Sequence, residues 1–164
     1  MATRRMITLR DESWMFQYRV AAIALRDDRV LLCCDNVTGY WYMPGGRVEL
    51  AESSEIALVR EINEELNTAV QIERLVWVVE NFWGPNSDQV HEICLYYLVS
   101  FPERAIPPTT AEFTLEESDG QKNTFRWWPF DKLVGARVYP SFLRTALRDL
   151  PMGVQHIIHH DADG

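Results

Sequence analysis

The sequence predicts an α/β fold in which a mixed sheet is covered by helices, and three observations lead there. Runs of β-branched and aromatic residues recur along the chain, separated by short polar turns. Between two of these runs lies a stretch with clear helical spacing, residues 53–66. A second helical pattern follows the last aromatic run. The chain has 164 residues, 47% hydrophobic and 24% charged, enough for one domain with a sizeable core and too few for a comfortable second one. With no repeat, low-complexity tract or linker to divide it, residues 1–164 are expected to form a single domain.

"FQYRVAAIALRDDRVLLCCD" holds two apolar runs, residues 20–25 and 30–34, joined by the polar Arg26-Asp27-Asp28-Arg29, which reads as a hairpin. "YWYMPGG" adds aromatics and a Pro-Gly-Gly turn. In the helix, Ile56, Val59, Ile62 and Leu66 recur at helical spacing and predict the buried stripe, with Ser53 or Ser54 as N-cap. "TAVQIERLVWVVENFW" and "HEICLYYLVSF" read as strands of a second hairpin around "GPNSDQ". Residues 102–123 read as a long polar loop, and "TFRWWPF" as a strand ended by Pro129. "YPSFLRTALRDL" predicts a helix with Pro in its first turn, and the tail "VQHIIHHDADG" a short strand.

Sixteen basic residues against 24 acidic ones give a formal net charge of -8, and no basic run offers a footprint for long nucleic acid. Cys33, Cys34 and Cys94 are odd in number and lack CxxC spacing, which fits reduced, structural thiols. "MATRRMITLRDESW" has no apolar stretch of signal-peptide length, and no segment is apolar enough to span a bilayer. A soluble, cytoplasmic protein without membrane partners is the expectation, either monomer or homodimer.

Residues 61–65 pose a physical problem. Glu61 and Glu65 lie about 40° apart around the helix axis and Glu64 about 60° to the other side, so three carboxylates share an arc of about 100°. Like charges at these spacings cost roughly 0.2–0.5 kcal/mol each, and anions near a helix C-terminus lose roughly 0.3–1 kcal/mol more. Arg60 offsets only part of this. A hard divalent cation such as Mg²⁺ prefers oxygen ligands and turns the repulsion into attraction. The preceding glycines let backbone groups approach a bound ion or phosphate closely.

Residues 46–68 resemble the Nudix box, G-x5-E-x7-R-E-U-x-E-E-x-G-U, where U is aliphatic. Gly46, Glu52, Arg60, Glu61, Ile62, Glu64 and Glu65 match at the correct spacing, while Asn67 replaces the later glycine and Thr68 the final aliphatic residue. Asparagine tolerates the left-handed conformation that caps helices, so the turn is expected to survive. The resemblance implies a Nudix-type α/β/α sandwich with a mixed central sheet. It also implies a pyrophosphohydrolase that uses Mg²⁺ or Mn²⁺ to cleave a nucleoside diphosphate linked to another group. On that analogy Glu61 and Glu65 would be metal ligands, Glu64 a ligand or the water-activating base, and the Gly46 carbonyl a further ligand. Glu52 and Arg60 would hold the array in place.

Outside the box, Glu92, Glu112, Glu116 and Glu117 are candidates to complete a metal site. Trp41, Tyr42, Phe82 and Trp83 offer aromatic faces for a base, with core packing as the alternative, and Arg47 could meet a phosphate. His156, His159 and His160 have helical zinc-ligand spacing but read better as an edge strand or tail. A small-molecule nucleotide, foremost a nucleoside triphosphate, is the expected substrate, with ADP-ribose or a nucleotide sugar as the alternative. Two further readings, a nucleotide-sensing module without catalysis and hydrolysis of capped RNA, are disfavoured. The box glutamates are all present, and the surface lacks a basic stripe.

Overall fold

The computed structural model describes residues 5–35, 39–85, 89–107, 112–116, 120, 122–161. Among the described residues ten strands join in one mixed sheet, with the path β10-β6-β7-β2-β3-β9-β8 through its hydrogen-bonded neighbours. The central member is β2 (Trp14–Arg26), which runs parallel to β7 (Gln89–Ser100) along residues 14–24. Its other edge is shared in succession by β1 (Thr8–Arg10), β5 (Gly45–Arg47) and the start of β3 (Arg29–Asp35).

The hairpin expected at residues 26–29 is present. Asp27 and Asp28 adopt φ of 46° and 56°, the left-handed pair that a two-residue turn between right-twisted strands requires. Beyond β3, β4 (Trp41–Tyr42) and β9 (Lys122–Pro129) pair antiparallel to it, and β9 ends at Pro129 as expected. The second hairpin pairs β6 (Gln71–Trp83) with β7, and register shifts near Ile72 and Leu75 re-aim the side chains. The tail forms β10 (Gln155–His160), parallel to the outer edge of β6.

Strict alternation along the strands sends side chains into two cores. Val20, Ala22, Ala24, Leu31, Cys33 and Phe125 face one core, which helix α1 (Ser54–Leu66) covers with Ala57, Leu58, Ile62 and Leu66. Ala21, Ile23, Val30, Leu32 and Trp77 face the other, covered by the one-turn helices α2 (Phe130–Leu133) and α3 (Leu143–Ala146) through Leu133 and Leu143. There the Trp77 ring meets Phe142 edge-on at 5.6 Å. All three cysteines are buried and free.

Four expectations need correction. The buried face of α1 keeps only half of the predicted stripe: Ile62 and Leu66 are buried as expected, but Ile56 is 63% exposed and Val59 43%, while Ala57, Leu58 and Glu65 are buried in their place. The helix packs Ala57, Leu58, Ile62 and Leu66 on the sheet, and on the same side Glu65 accepts the Gly45 N–H of β5. The C-terminal helix shrinks to α3, its remainder being turns. Within the expected long loop, Phe113–Glu116 forms β8 against β9, led by the stacking of Phe113 on Phe125. The Pro-Gly-Gly segment runs into β5 rather than forming a free turn.

Candidate active site

The carboxylates are delivered by α1 and received by β5. Ser53 caps the helix by accepting from the Ile56 N–H at 3.4 Å. At the other end Asn67 adopts φ 50°, ψ 40° and returns its N–H to the Asn63 carbonyl at 2.9 Å, so asparagine does fill the left-handed position. The helix therefore stops at Leu66, one residue past Glu65.

Arg60 ties the site together. Its Nε and one terminal nitrogen donate to the two oxygens of Glu52, both at 2.8 Å, in a forked pair. The other terminal nitrogen donates to Glu61 at 2.6 Å and lies 3.5 Å from Glu64, and the guanidinium also reaches the Arg47 carbonyl at 3.0 Å. The hydrogen bonds from Arg60 to Glu52, and then to Glu61, hold the guanidinium pKa above its ordinary value against the opposing effect of burial. Burial pushes the Glu61 carboxyl up, and Arg60 only partly counters it. Glu52 also accepts the Glu49 N–H at 3.0 Å, which fixes the loop ahead of the helix.

The two glycines have different duties. Gly45, at φ 143°, has no room for a Cβ beside the Val20 carbonyl, and its N–H donates to Glu65 at 3.0 Å. At Gly46 a Cβ would fall on the Glu61 carboxylate, so the missing side chain is what lets that carboxylate lie against the strand. We expect Gly45→Ala to destabilise the fold, and Gly46→Ala to keep the fold while displacing Glu61 and removing most activity. Denaturation midpoints and turnover measured on both variants check the contrast, and equal behaviour of the two would refute it.

Behind β5 a second polar chain runs through the sheet. Arg47 donates to Gln17 at 3.0 Å, Gln17 donates to Glu92 at 2.5 Å, and Arg19 donates to the Gly45 carbonyl at 3.3 Å while lying 3.9 Å from Glu92. Burial raises the Glu92 carboxyl, opposed by Arg19 and the Gln17 hydrogen bond. Arg19 and Glu92 also line a cavity of about 350 Å³ with aromatic walls that include Trp83, Tyr42 and Tyr139. Arg19 thus joins the cavity to the glycines.

A family model for the NUDIX domain matches residues 15–150. The chain belongs to the Nudix domain family. Its likeness to a MutT-like protein of Streptomyces ambofaciens is 38% identity over 65 residues, covering 38% of this chain and 41% of that protein. A Caenorhabditis elegans protein named as a nudix hydrolase is 42% identical over 66 residues, covering 36% of this chain and 18% of that one. The chain therefore spans less than half the length of these curated relatives. Among solved structures, the Nudix chain resembles a MutT protein from Bacillus halodurans (TM-score 0.57, 16% identity, 90% of this chain and 92% of that one). It also resembles an ADP-ribose pyrophosphatase from Streptococcus suis (TM-score 0.54, 17% identity, 87% of this chain and 98% of that one). These last two likenesses establish the fold.

The structure brings Gly46, Glu52, Arg60, Glu61, Glu64 and Glu65 of the Nudix box into one constellation, with Arg47 on its flank. Trp83 lines the cavity, whereas Trp41 is set apart from its lining and packs edge-on against Trp128 at 5.2 Å. Glu92 is the later glutamate that lies beside the site. Glu112 and Glu116 pair with Arg126 and Lys122 at the exposed far edge, and Glu117 lies outside the described residues. The tail histidines sit on an edge strand, His156 against Glu80 at 2.7 Å and His159 against Ser141 and Asp161, each at 3.0 Å. Sequence reasoning missed Gln17, Arg19, Asn81 and Asp161. The polar residues inside otherwise apolar strand runs were the available signal for the first three.

For a divalent cation the donors fit in kind and place, being oxygens gathered where Gly46 leaves space. Among the described residues no three side chains already converge as a ligand cage. Arg60 draws Glu61 towards itself, and the Gly45 N–H holds Glu65.

Proposed function

We propose that this chain, acting as a single domain over residues 1–164, is a pyrophosphohydrolase that cleaves a nucleoside diphosphate linked to another group with Mg²⁺ or Mn²⁺, foremost a nucleoside triphosphate. The observation that carries the reading is the carboxylate set of α1, locked by the Arg60–Glu52 fork and lying one arginine away from an aromatic cavity. An ion held by Glu61, Glu64, Glu65 and the Gly46 carbonyl would neutralise the diphosphate and lower the pKa of a water molecule. The chain's own part is to present these oxygens in a fixed array through Arg60 and Glu52, to receive the base against Trp83, and to keep Arg47 near the phosphates. Glu64, more exposed than Glu61, would serve either as one of those ligands or as the base that takes the proton from the attacking water. We place the protein in the cytoplasm, consistent with its buried free thiols.

The test is a cleavage screen, run with Mg²⁺ and again with Mn²⁺, over nucleoside triphosphates, ADP-ribose, nucleotide sugars and dinucleoside polyphosphates, with products resolved by chromatography. A nucleoside triphosphate cleaved fastest supports the reading. Silence across the panel with both metals refutes it, and a faster ADP-ribose or nucleotide sugar would replace the substrate while keeping the reaction.

A further inference from the structure

The tail strand leaves one edge of the sheet open. β10 is the last member of the path, with β6 on one side and no described strand on the other. The Asp161 N–H donates to the Phe82 carbonyl at 3.0 Å. Backbone groups alternate in direction along a strand, so Ile157 and His159 also turn theirs to β6, while His156, Ile158 and His160 each present an N–H and a C=O outwards. The side chains of these three share one face, where His160 stacks on Phe82 at 4.8 Å, His156 meets Glu80 at 2.7 Å and Ile158 is 63% exposed. Sheet edges are ordinarily blunted by charge, proline or shortness. The opposite edge follows that rule: β8 has four residues, with Glu116 paired to Lys122 at 3.5 Å and Glu112 to Arg126 at 3.6 Å. β10 departs from it, with no Asp, Glu, Lys, Arg or Pro in its six residues.

We propose that β10 is a dimerisation edge, which pairs antiparallel with β10 of a second copy about a two-fold axis at Ile158. Such an axis must keep each side chain on its own face and match outward backbone groups with outward ones. Centred on Ile158, it sets that residue against its own copy and His156 against His160, so each outward N–H meets an outward C=O. It also covers the most exposed apolar side chain of the strand, and it carries the ring row Phe16–His91–Phe82–His160 across the junction to His156 of the second copy. Two chains of net charge -8 repel at a distance, but β10 brings no acidic side chain to the contact, and Glu80 beside it is already engaged by His156. A strand from another protein would satisfy the same backbone groups, whereas the two-fold match of Ile158 and the histidines needs this sequence. Two six-residue strands make a small contact beside the roughly 800 Å² per partner of a standard interface, so the dimer should be reversible, with a Kd on the order of 10–100 μM.

The deciding measurement is sedimentation of the full chain from about 5 μM to about 500 μM, over which the mass should rise from one chain to two. Ile158→Pro removes an outward donor without touching a bond to β6, at a place where an edge strand accepts proline, and should weaken association roughly tenfold or more with the denaturation midpoint nearly unchanged. Cross-linking reads the register. Paired Cα atoms at a hydrogen-bonded antiparallel position lie about 5.5 Å apart, within reach of a disulfide. Under mild oxidation Ile158→Cys should therefore link to its own copy far faster than His156→Cys, whose counterpart lies roughly 13 Å further along the strand. The native cysteines are buried and do not compete. A single-chain mass throughout the range, a dimer as tight in folded Ile158→Pro as in the unaltered protein, or equal cross-linking of the two cysteine variants would overturn the proposal. So would masses beyond two chains, because this axis closes the assembly. If Ile158→Pro does not fold, the mass series and the cross-linking comparison decide. Failure of the hydrolytic reading would leave the dimer standing, since no part of it rests on the reaction.

Discussion

Glu64→Gln and Glu65→Gln should each lower hydrolysis by roughly 10²–10⁴-fold while leaving the denaturation midpoint nearly unchanged. Both substitutions keep the side-chain length and one carbonyl oxygen. At Glu65, which is buried, that oxygen still accepts the Gly45 N–H, so the docking of α1 on β5 is preserved. At Glu64, 23% exposed, the ion pair with Arg60 at 3.5 Å is weakened. What vanishes in each case is a negative charge able to face a cation or take a proton. Turnover under saturating Mg²⁺, with circular dichroism as a check on folding, measures the effect. Full activity in both variants would remove the assignment of this helix as the reaction centre.

The second large effect belongs to Arg60. Arg60→Met deletes the fork to Glu52, the hydrogen bond to Glu61 and the tie to the Arg47 carbonyl in a single step. It strands Glu52 and Glu61, each with side chains only 12% exposed, and breaking such a partly buried pair from one side costs about 3 kcal/mol. Arg60→Lys recovers a charge but not the fork, so it should restore only part of the stability. Urea denaturation gives the stability and steady-state kinetics the activity, which should fall with both substitutions because the array loses its fixed geometry. An unaltered midpoint for Arg60→Met would show that the network contributes nothing net. Saturating Mg²⁺ should recover part of that lost stability, since a bound ion supplies the positive charge the variant lacks.

The local features of the fold were legible because their causes are local. The polar Arg26-Asp27-Asp28-Arg29 announces a hairpin, Ser53 and Asn67 delimit α1, and the carboxylate arc follows from helical spacing alone. The face that α1 buries was misread because periodicity weighs large apolar residues, and Ile56 and Val59 outweigh Ala57 on any such scale. Packing on the sheet sets the face instead, with Ala57 and Leu58 turned inward beside Glu65, which accepts the Gly45 N–H. The cavity was hidden for a different reason. Asn81 and Asp161 stand eighty residues apart in the chain, and only the parallel pairing of β10 with β6 makes them neighbours. No pattern within a short window encodes that pairing. Strand β8 escaped notice because four residues with a single well-packed aromatic give too short an alternation to separate from a loop.

Strand β2 has the most demanding position in the molecule. Its even-numbered residues 20, 22 and 24 back one core, Ala21 and Ile23 back the other, and Arg19 on the same strand holds the Gly45 carbonyl. The two layers thus hang from one spine. Heat or denaturant that loosens either layer strips the other of its backing, so melting should be cooperative, and the reaction centre cannot outlast either half.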